Sequence, residues 1–287
     1  MNIALTGSSG LIGSLLVDDL KKAGHKVLCI SSSHSLPKEG IFSYEEVISR
    51  EMPLKVDCIL HLASINSNLK ESQVSDELDL SQKALDSMIA LDCKKIIFFS
   101  SIRVYGSNSF ECKKFTEESA LEPKCHYGKA KKRCEDLIIE MAPIQNFNYL
   151  ILRLPPLLLS HSKSNLGKLF LGIKKGLPMP SFHIGDRNER SFLSYDLLLS
   201  ALGSVLNNNT RIENEIFNLA DLSPISTNAL VRKIGKILDK KPRIIYFPNF
   251  IFHLMIRVNR LQLILCRIYG NFNISSEKFR KIFFLTE

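Results

Sequence analysis

The opening glycine-rich turn constrains the fold of this chain more than any other stretch. Residues 2–13 are NIALTGSSGLIG, an apolar run followed by three glycines at intervals of three residues and then a helical pattern. Between a strand and a helix, such glycines permit a tight turn and let the backbone approach a pyrophosphate. The N–H groups at the start of that helix, together with the helix dipole, favour an anion. The pattern predicts a dinucleotide site whose backbone is Gly7, Gly10, Leu11, Ile12 and Gly13.

Apolar runs alternate with helical patterns through the first half of the chain. The predicted strands are residues 2–7, 25–31, 56–63, 94–101 and 148–154, and the predicted helices are 10–24, 80–92 and 127–141. Nearly continuous apolar strands that alternate with helices indicate a parallel sheet covered on both faces. We therefore predict an α/β fold, a doubly wound parallel sheet of Rossmann type with a smaller, interleaved C-terminal substrate lobe. The NAD(P)-binding domain is predicted over residues 1–155 and the lobe over residues 156–287, with a strand near residues 216–219 returning to the sheet.

The composition is that of a soluble globular protein, with 45% hydrophobic and 23% charged residues. Seven cysteines are scattered without a CxxC pair, and seven histidines form neither an HExxH motif nor a cluster with cysteine. A disulfide scaffold and a metal site are therefore not expected, and reduced thiols indicate a cytoplasmic location. The chain opens without a basic and apolar leader, which also favours the cytoplasm.

The formal net charge of +9 indicates an anionic partner. Nucleic acid is not expected, because the sequence has no zinc-finger spacing and no basic stripe interleaved with aromatic residues. A phosphorylated small molecule accounts for the charge equally well. The apolar segment 247–270 carries His253, Arg257, Arg260 and Arg267, which would be costly in a bilayer, so no transmembrane segment is predicted. Two interpretations stay open for it: a helix covering the substrate lobe, or a basic amphipathic helix in peripheral contact with a membrane.

The end of the second strand bears on the choice of cofactor. An acidic residue there would hold the ribose 2′-hydroxyl of NAD. This strand continues as CISSSHSLPK, in which Ser31, Ser32, His34 and Lys38 suit a 2′-phosphate better. The sequence therefore leans slightly toward NADP and leaves NAD open.

The stretch CHYGKAKKRCEDLI contains the only tyrosine of the chain with a lysine four residues later. Tyr127 and Lys131 would share one face of a helix. A tyrosine with a pKa of about 10 is a poor base at neutral pH, and a nearby cation favours the phenolate. The pair is therefore either a proton-transfer device, in which Lys131 together with the charge of a bound nicotinamide brings the pKa of the phenol toward neutral, or a coincidence in a lysine-rich sequence.

Four motifs in order, TGSSGLIG, HLAS, FFSSIRVYG and YGKAK, give the chain a specific resemblance. It resembles the extended short-chain dehydrogenase/reductase family, and within it the NAD-dependent epimerase/dehydratase group that modifies nucleotide sugars. The resemblance runs from residue 2 to about residue 250. It implies that Tyr127 exchanges a proton with the sugar, that Lys131 also bonds the nicotinamide ribose, and that Ser101 bonds the reacting oxygen.

The same resemblance implies further contacts with cofactor and substrate. Leu62, Ala63 and Ser64 would line the cofactor, and Pro155 would contact its nicotinamide end. For a UDP-sugar, the residues implied to hold the diphosphate and nucleotide are Asn165, Leu166 and Arg190, with Arg187 as a weaker candidate. His61 is predicted to be an interior residue with satisfied hydrogen bonds. Members of the family are commonly dimers, so the resemblance also implies a homodimer.

The resemblance narrows the reaction to chemistry at C4 of a UDP-sugar. Dehydratases of the family carry an Asp-Glu pair directly after the catalytic serine or threonine, whereas this chain has Ile102 and Arg103. Epimerisation at C4 and reduction of a 4-keto sugar remain, in the synthesis of cell-surface polysaccharide such as O-antigen. The alternative is a non-catalytic NAD(P)-binding scaffold or redox-sensing protein of the same fold.

Overall fold

The computed structural model describes residues 1–32, 41–49, 55–66, 68–159, 165–207 and 213–283. The chain divides into two compact units. The first consists of Met1–Gly106, Ala120–Leu154 and Asn207–Asn218, and the second of Ser107–Ser119, Pro155–Leu206 and Leu219–Glu287. Two residues invoked above for a 2′-phosphate, His34 and Lys38, lie outside the described residues, as does the side chain of Asn165.

The described elements are numbered in chain order. The strands are β1 (Asn2–Thr6), β2 (Lys26–Ser31), β3 (Ile41–Ser43), β4 (Cys58–His61), β5 (Lys95–Ser101), β6 (Lys114–Phe115), β7 (Asn148–Leu154), β8 (Met179–Ser181), β9 (Glu215–Asn218), β10 (Ile244–Tyr246) and β11 (Asn273–Ile274). The helices are α1 (Leu11–Lys22), α2 (Tyr44–Ser49), α3 (Val74–Ala90), α4 (His126–Gln145), α5 (Asn165–Lys174), α6 (Tyr195–Asn207), α7 (Thr227–Ile237), α8 (Asn249–Met255), α9 (Asn259–Tyr269) and α10 (Glu277–Phe283).

The first unit contains a parallel sheet of seven described strands in the order β3-β2-β1-β4-β5-β7-β9. The strand order runs outward from β1 in both directions, which is the doubly wound arrangement. Its central strands are buried almost throughout, as their continuous apolar sequences require. The predicted α/β fold of Rossmann type is therefore confirmed. Strand β9 reaches the sheet from residues far along the chain and pairs with β7 in parallel.

One face of this sheet forms a large core with helices α2, α3 and α4. Its buried members include residues from the strands and from all three helices: Ala4, Ile30, Val47, Ile59, Ala84, Leu85, Met88, Phe98, Cys134, Ile138 and Ile151. Their regular spacing along α3 and α4 places one apolar stripe of each helix against the strands. This core fixes α3 and α4 on the same side of the sheet.

Four elements of the first unit differ clearly from the sequence-based expectation. Strand β3 and helix α2 were not predicted, yet the reciprocal bonds Glu46 N–Ser43 Oγ (3.1 Å) and Ser43 N–Glu46 Oε2 (2.9 Å) form a capping box for α2. Helix α3 begins at residue 74 rather than 80. Helix α4 continues past Pro143 and ends only at Asn146, whose left-handed φ of 53° terminates it.

In the second unit, the apolar segment 247–270 forms two helices, α8 and α9. Both pack against Phe182 through their inner side chains, Phe252 on α8 and Leu265 and Tyr269 on α9. A separate cluster joins α5 and α7 around Phe192. Among the described residues we find no helix with both the length and the apolarity needed to cross a bilayer.

His61 at the end of β4 is fully buried, and both ring nitrogens have partners. Nδ1 lies 2.7 Å from Thr6 Oγ1 and Nε2 lies 3.0 Å from Ser81 Oγ, while the ring stacks on Phe98 at 5.3 Å. Burial, with a smaller contribution from the charge of Lys131, lowers the pKa of His61 to about 3. The ring is therefore neutral at physiological pH and links β1 to α3.

Helix α4 approaches the turn after β5 at Gly128 more closely than any other residue type would allow. A Cβ atom at Gly128 would lie 3.0 Å from the carbonyl carbon of Arg103 and closer still to its oxygen. Backbone cannot retreat as a flexible side chain can. Gly128 therefore sets the distance between the first turn of α4 and the end of β5.

We expect Gly128→Ala to lower the free energy of unfolding by about 1–3 kcal/mol, because the added methyl group overpacks this contact. Urea denaturation measures the change. The control is Gly203→Ala within α6, where an added Cβ would meet nothing within 4 Å. There we expect a gain of about 0.5–1 kcal/mol, from helix propensity alone. Equal effects of the two substitutions would contradict the close approach.

Candidate active site

The glycine-rich turn between β1 and α1 leaves its backbone open. Gly7 has a φ of +77°, and a Cβ on it would lie 2.7 Å from the backbone nitrogen of Ala63. Gly10 caps α1 without a side-chain hydrogen bond, and the first turn of the helix contains no acidic residue. These features fit the pyrophosphate of a dinucleotide, since bare N–H groups at a helix start favour an anion.

The predicted cofactor residues of the first unit surround this turn. Leu62 and Ala63 follow β4, and their backbone nitrogens donate to Thr6 at 3.3 Å each, which places them against Gly7. Ser31 at the end of β2 is buried, with its Oγ 3.4 Å from Ser9 Oγ of the turn. Ser32 follows it and is exposed.

Ser101 and Tyr127 come from different elements and meet in the first unit. Ser101 is the last residue of β5, and its Oγ accepts a hydrogen bond from the backbone nitrogen of Arg103 at 3.3 Å. Tyr127 is the second residue of α4, and its phenol lies near enough to the Ser101 side chain for that side chain to lower its pKa. The approach of α4 at Gly128 makes this pairing possible.

Lys131 lies one helical turn after Tyr127 and is almost completely buried. Its Nζ lies 5.9 Å from the centre of the Tyr127 ring, 4.8 Å from that of Phe98 and 3.0 Å from Glu77 Oε1. Burial alone would lower the pKa of Lys131, but Tyr127 and Glu77 outweigh burial and raise it. The ammonium group is therefore charged inside the protein.

Glu77 is the residue of this site that the sequence did not predict. Its carboxylate accepts from Ser64 Oγ at 2.7 Å and from the backbone nitrogen of Ile65 at 2.8 Å, besides pairing with Lys131. A signal was present, because Val74, Glu77 and Ser81 share one stripe of α3 by their spacing. The predicted helix began at residue 80 and left Glu77 outside it.

The pKa of the Tyr127 phenol is raised above its ordinary value. Burial is the main cause, and Glu77 acts in the same direction. Lys131 and the interaction with the Ser101 side chain lower the pKa but do not outweigh burial. Lys131 thus lowers the pKa of the phenol as predicted, but in the chain by itself burial, with Glu77 adding to it, keeps the net pKa above its ordinary value.

A buried network holds the end of β5 and helix α4 in place. Glu135 on α4 accepts from Ser100 Oγ at 2.5 Å and pairs with Arg153 on β7 at 2.7 Å. Arg153 Nη1 also donates to Tyr105 Oη at 2.9 Å, and Tyr105 donates to Asn218 Oδ1 on β9 at 2.9 Å. These bonds join four elements of the first unit around the strand end that carries Ser101.

Two of the residues predicted for the substrate lie beside the same apolar cluster of the second unit. Leu166 on α5 packs against the cluster that contains Phe192. The Arg190 guanidinium lies 5.4 Å from the centre of the Phe192 ring, and its Nη1 donates to the Ile268 carbonyl oxygen at 3.3 Å. Arg187 is exposed. Asn165 begins α5 beside Leu166 in sequence.

The predicted site residues thus fall into two groups. The first unit brings together Ser101, Tyr127 and Lys131, and joins Lys131 through Glu77 to the segment beside the glycine turn. The second unit holds the substrate candidates, together with Pro155, which is buried and directly follows β7. Within the described residues, no group of three or more metal-ligating side chains occurs.

We expect Glu77 and Lys131 to depend on each other for stability. Glu77→Gln and Lys131→Met should each lower the free energy of unfolding by about 3–5 kcal/mol, because each leaves a buried partner unpaired. The double variant should lose less than the sum, by about 1–3 kcal/mol. A double-mutant cycle by urea denaturation measures this coupling.

The matched control is the half-buried pair Lys132–Asp136 on the same helix, whose Nζ and Oδ2 atoms lie 2.7 Å apart. Lys132→Met and Asp136→Asn should show a coupling of about 0.5 kcal/mol or less. A coupling between Glu77 and Lys131 that is no larger than in this control would refute the buried pair.

Comparison with known proteins gives the family. The family model described as "NAD dependent epimerase/dehydratase family" matches residues 3–220. UDP-glucose 4-epimerase of Vibrio cholerae is 25% identical over 256 residues, which cover 83% of this chain and 76% of that protein.

Two solved structures share the fold. UDP-N-acetylglucosamine 4-epimerase from Bacillus cereus has a TM-score of 0.77 and 17% identity, covering 100% of this chain and 93% of that one. Human epimerase family protein SDR39U1 with NADPH has a TM-score of 0.76 and 16% identity, covering 100% and 94%. Since the family model spans most of the sequence, the family expected from the four motifs is confirmed, and the chain belongs to the NAD-dependent epimerase/dehydratase family.

Proposed function

We propose that this protein is an NAD(P)-dependent enzyme acting at C4 of a UDP-sugar. The observation that carries the proposal is the convergence of Ser101, Tyr127 and Lys131 from two elements of the first unit. Lys131 is further joined through Glu77 to Ser64, which follows the residues packed against the glycine turn. A phenol, a hydroxyl and a buried ammonium at a dinucleotide site make up a device for carbonyl–alcohol chemistry.

Each side chain has a distinct task in this proposal. A bound nicotinamide supplies the acceptance and return of hydride at the sugar carbon. Tyr127 takes the proton of the C4 hydroxyl when the alcohol is oxidised and returns it when the ketone is reduced. Ser101 hydrogen-bonds the same oxygen, and Lys131 stabilises the phenolate. Glu77 is a positioning residue, because it touches Lys131 and not the reacting atoms.

The cofactor is NAD or NADP. The turn from Gly7 to Gly13 would hold the pyrophosphate, with Ala63 and Ser31 beside it. Ser31 and Ser32 in place of an acid support a slight preference for NADP. The human protein of similar fold was solved with NADPH, which supports binding of the phosphorylated cofactor by this fold. The description of the family names NAD, which supports the other form.

The substrate class rests on the second unit and on the relatives. Arg190 offers a planar, permanently charged fork that suits a diphosphate. Leu166 shares the Phe192 cluster with it, and Asn165 adjoins Leu166 in sequence. The names of the Vibrio and Bacillus relatives, both UDP-sugar 4-epimerases, support a UDP-sugar as the ligand.

Two reactions fit the proposed site. The names of the relatives favour 4-epimerisation. Reduction of a 4-keto sugar is the second candidate, favoured by the end of β2, because a reductase must exchange its nicotinamide and NADPH is the usual donor. Ile102 and Arg103 after Ser101 offer no acid–base pair for dehydration. We place the reaction in the cytoplasm, in the synthesis of cell-surface polysaccharide such as O-antigen, with a homodimer as the proposed assembly.

The proposal gives Tyr127 the task of proton transfer. Tyr127→Phe should lower turnover roughly 10²- to 10⁴-fold, because only the proton path is removed. Nicotinamide affinity, followed by fluorescence titration with NADH and NADPH, should change little, since the ring remains in place. Turnover retained by the variant would defeat the role assigned to Tyr127, and a lost cofactor affinity would point to a structural role instead.

The proposal gives Arg190 the task of binding the diphosphate of the UDP-sugar. Arg190→Ala should weaken UDP binding roughly 10- to 100-fold, the loss expected for charge-assisted hydrogen bonds. Arg187→Ala, three residues earlier and exposed, is the matched control and should leave the affinity nearly unchanged. Isothermal titration with UDP measures both. If the two variants lose affinity equally, Arg190 is not a specific clamp.

The experiment that tests the whole proposal is product analysis. The purified protein is incubated with UDP-GlcNAc or with its 4-keto-6-deoxy derivative, with each nicotinamide in turn, and products are identified by mass and NMR. Epimerisation leaves the mass unchanged and inverts C4, whereas reduction adds two hydrogens and consumes the reduced nicotinamide. A protein that binds nicotinamide and converts neither sugar would favour the non-catalytic scaffold.

A further inference from the structure

An exposed apolar surface covers β10, α8 and α9 in the second unit. Large hydrophobic side chains point outward along these three elements and the turns between them; they are Ile245, Tyr246, Phe247, Phe250, Leu254, Val258, Leu263, Ile264 and Ile268. We refer to these nine residues as the α8–α9 surface. Phe250 is 69% exposed, and Leu254 and Leu263 are each 64% exposed.

The exposed hydrophobic residues of the described chain are concentrated on the α8–α9 surface. Among the described residues, nineteen large hydrophobic side chains are exposed, and the α8–α9 surface contributes nine of them within 24 consecutive positions. Exposed apolar residues are ordinary when scattered singly, but their concentration in one short segment is typical of an interaction site. The core does not require these nine, because α8 and α9 pack inward through Phe252, Leu265 and Tyr269.

The charged residues of the same segment are all basic. Residues 240–276 contain no aspartate or glutamate. They contain six basic residues, Lys240, Lys241, Arg243, Arg257, Arg260 and Arg267, against a net charge of +9 for the whole chain. All six are exposed. The apolar surface therefore lies within a wholly basic segment.

Cations and apolar side chains alternate on the outer face of α9. Arg260, Ile264 and Arg267 are spaced by four and three residues and share one helical face, with Leu263 beside them. The long arginine stems can lie along apolar surface while their charged ends stay in a polar layer. The face therefore presents hydrocarbon and positive charge together.

We propose that the α8–α9 surface docks onto an anionic lipid bilayer. Short helices with bulky apolar residues and interleaved arginines lie in the plane of the interface, where acyl chains receive the apolar groups and lipid phosphates meet the cations. The complete lack of acidic residues over residues 240–276 is complementary to such a surface. A second copy is a poor occupant, because a two-fold interface would place this basic segment against itself.

The chain offers a clean optical test, because it contains no tryptophan. Phe250→Trp places a single reporter on the α8–α9 surface of the full chain. With vesicles of phosphatidylcholine containing phosphatidylglycerol, its emission should shift to shorter wavelength, and brominated lipids should quench it. Pure phosphatidylcholine vesicles should give little change. Ile144→Trp is the control, since Ile144 lies on α4 of the first unit and is exposed to a similar degree, 73% against 69%.

Two sets of variants separate the electrostatic contribution to vesicle binding from the apolar contribution. Arg260→Gln with Arg267→Gln should lower partitioning onto the anionic vesicles roughly 25-fold, since each basic residue near such a surface contributes about a factor of five. Lys21→Gln with Lys26→Gln removes the same charge from exposed positions of the first unit and should have a much smaller effect. Phe250→Ser with Leu254→Ser should also weaken binding, whereas Ile89→Ser with Ile144→Ser should not.

Several results would overturn the proposal. These are an unshifted Phe250→Trp emission, equal binding to neutral vesicles, or equal losses in the paired control variants. Light scattering, which measures the oligomeric state, tests whether a second copy of the chain occupies the surface instead. A dimer that Phe250→Ser with Leu254→Ser dissociates, in a protein that binds no vesicles, would assign the surface to a second copy. None of these readouts depends on turnover, so they stand apart from the proposed reaction.

Discussion

The buried ion pair between Glu77 and Lys131 is the interaction on which the arrangement of the first unit depends. Removing two charges from water costs several kcal/mol for each ion, and a single contact rarely compensates for it. Here the carboxylate also accepts from Ser64 and Ile65, so that its oxygens are satisfied on several sides. The pair joins α3, α4 and the segment after β4, and it fixes Lys131, which lies one helical turn from Tyr127 on α4.

This arrangement has an electrostatic consequence for the phenol. Lys131 favours the phenolate of Tyr127, but the carboxylate that fixes the lysine favours the protonated form, as does burial. In the chain by itself the phenol therefore stays protonated at neutral pH. A tyrosine in this state is ready to donate a proton to a ketone oxygen, and it needs added positive charge nearby before it can act as a base.

The sequence predicted those parts of the molecule whose signals are local. Apolar runs predicted six of the seven described strands of the parallel sheet, the glycine spacing predicted the open turn, and the four-residue interval predicted that Tyr127 and Lys131 share a helical face. Glu77 was not predicted as a site residue because its role depends on partners distant in sequence, such as Ser64, which lies thirteen residues before it. An acid within a buried stripe also interrupts the apolar periodicity by which α3 would have been recognised. Segment 41–49 was missed because a three-residue strand and a six-residue helix carry no period to detect.

Most of the excess positive charge of the chain lies in the segment that carries the α8–α9 surface and not at the proposed substrate site. The sequence associated it with a phosphorylated ligand, yet most of the excess lies in residues 240–276, and Arg190 lies outside that segment. The two meet at α9, because the Ile268 carbonyl oxygen accepts from Arg190 and also from Thr227 Oγ1 at 2.5 Å. The C-terminal end of α9 is thus bonded to the proposed diphosphate clamp, whereas the side chains of Arg260 and Arg267 are exposed on its outer side. Substitutions on the outer side can therefore alter docking alone, while a displacement of the whole helix would alter both functions.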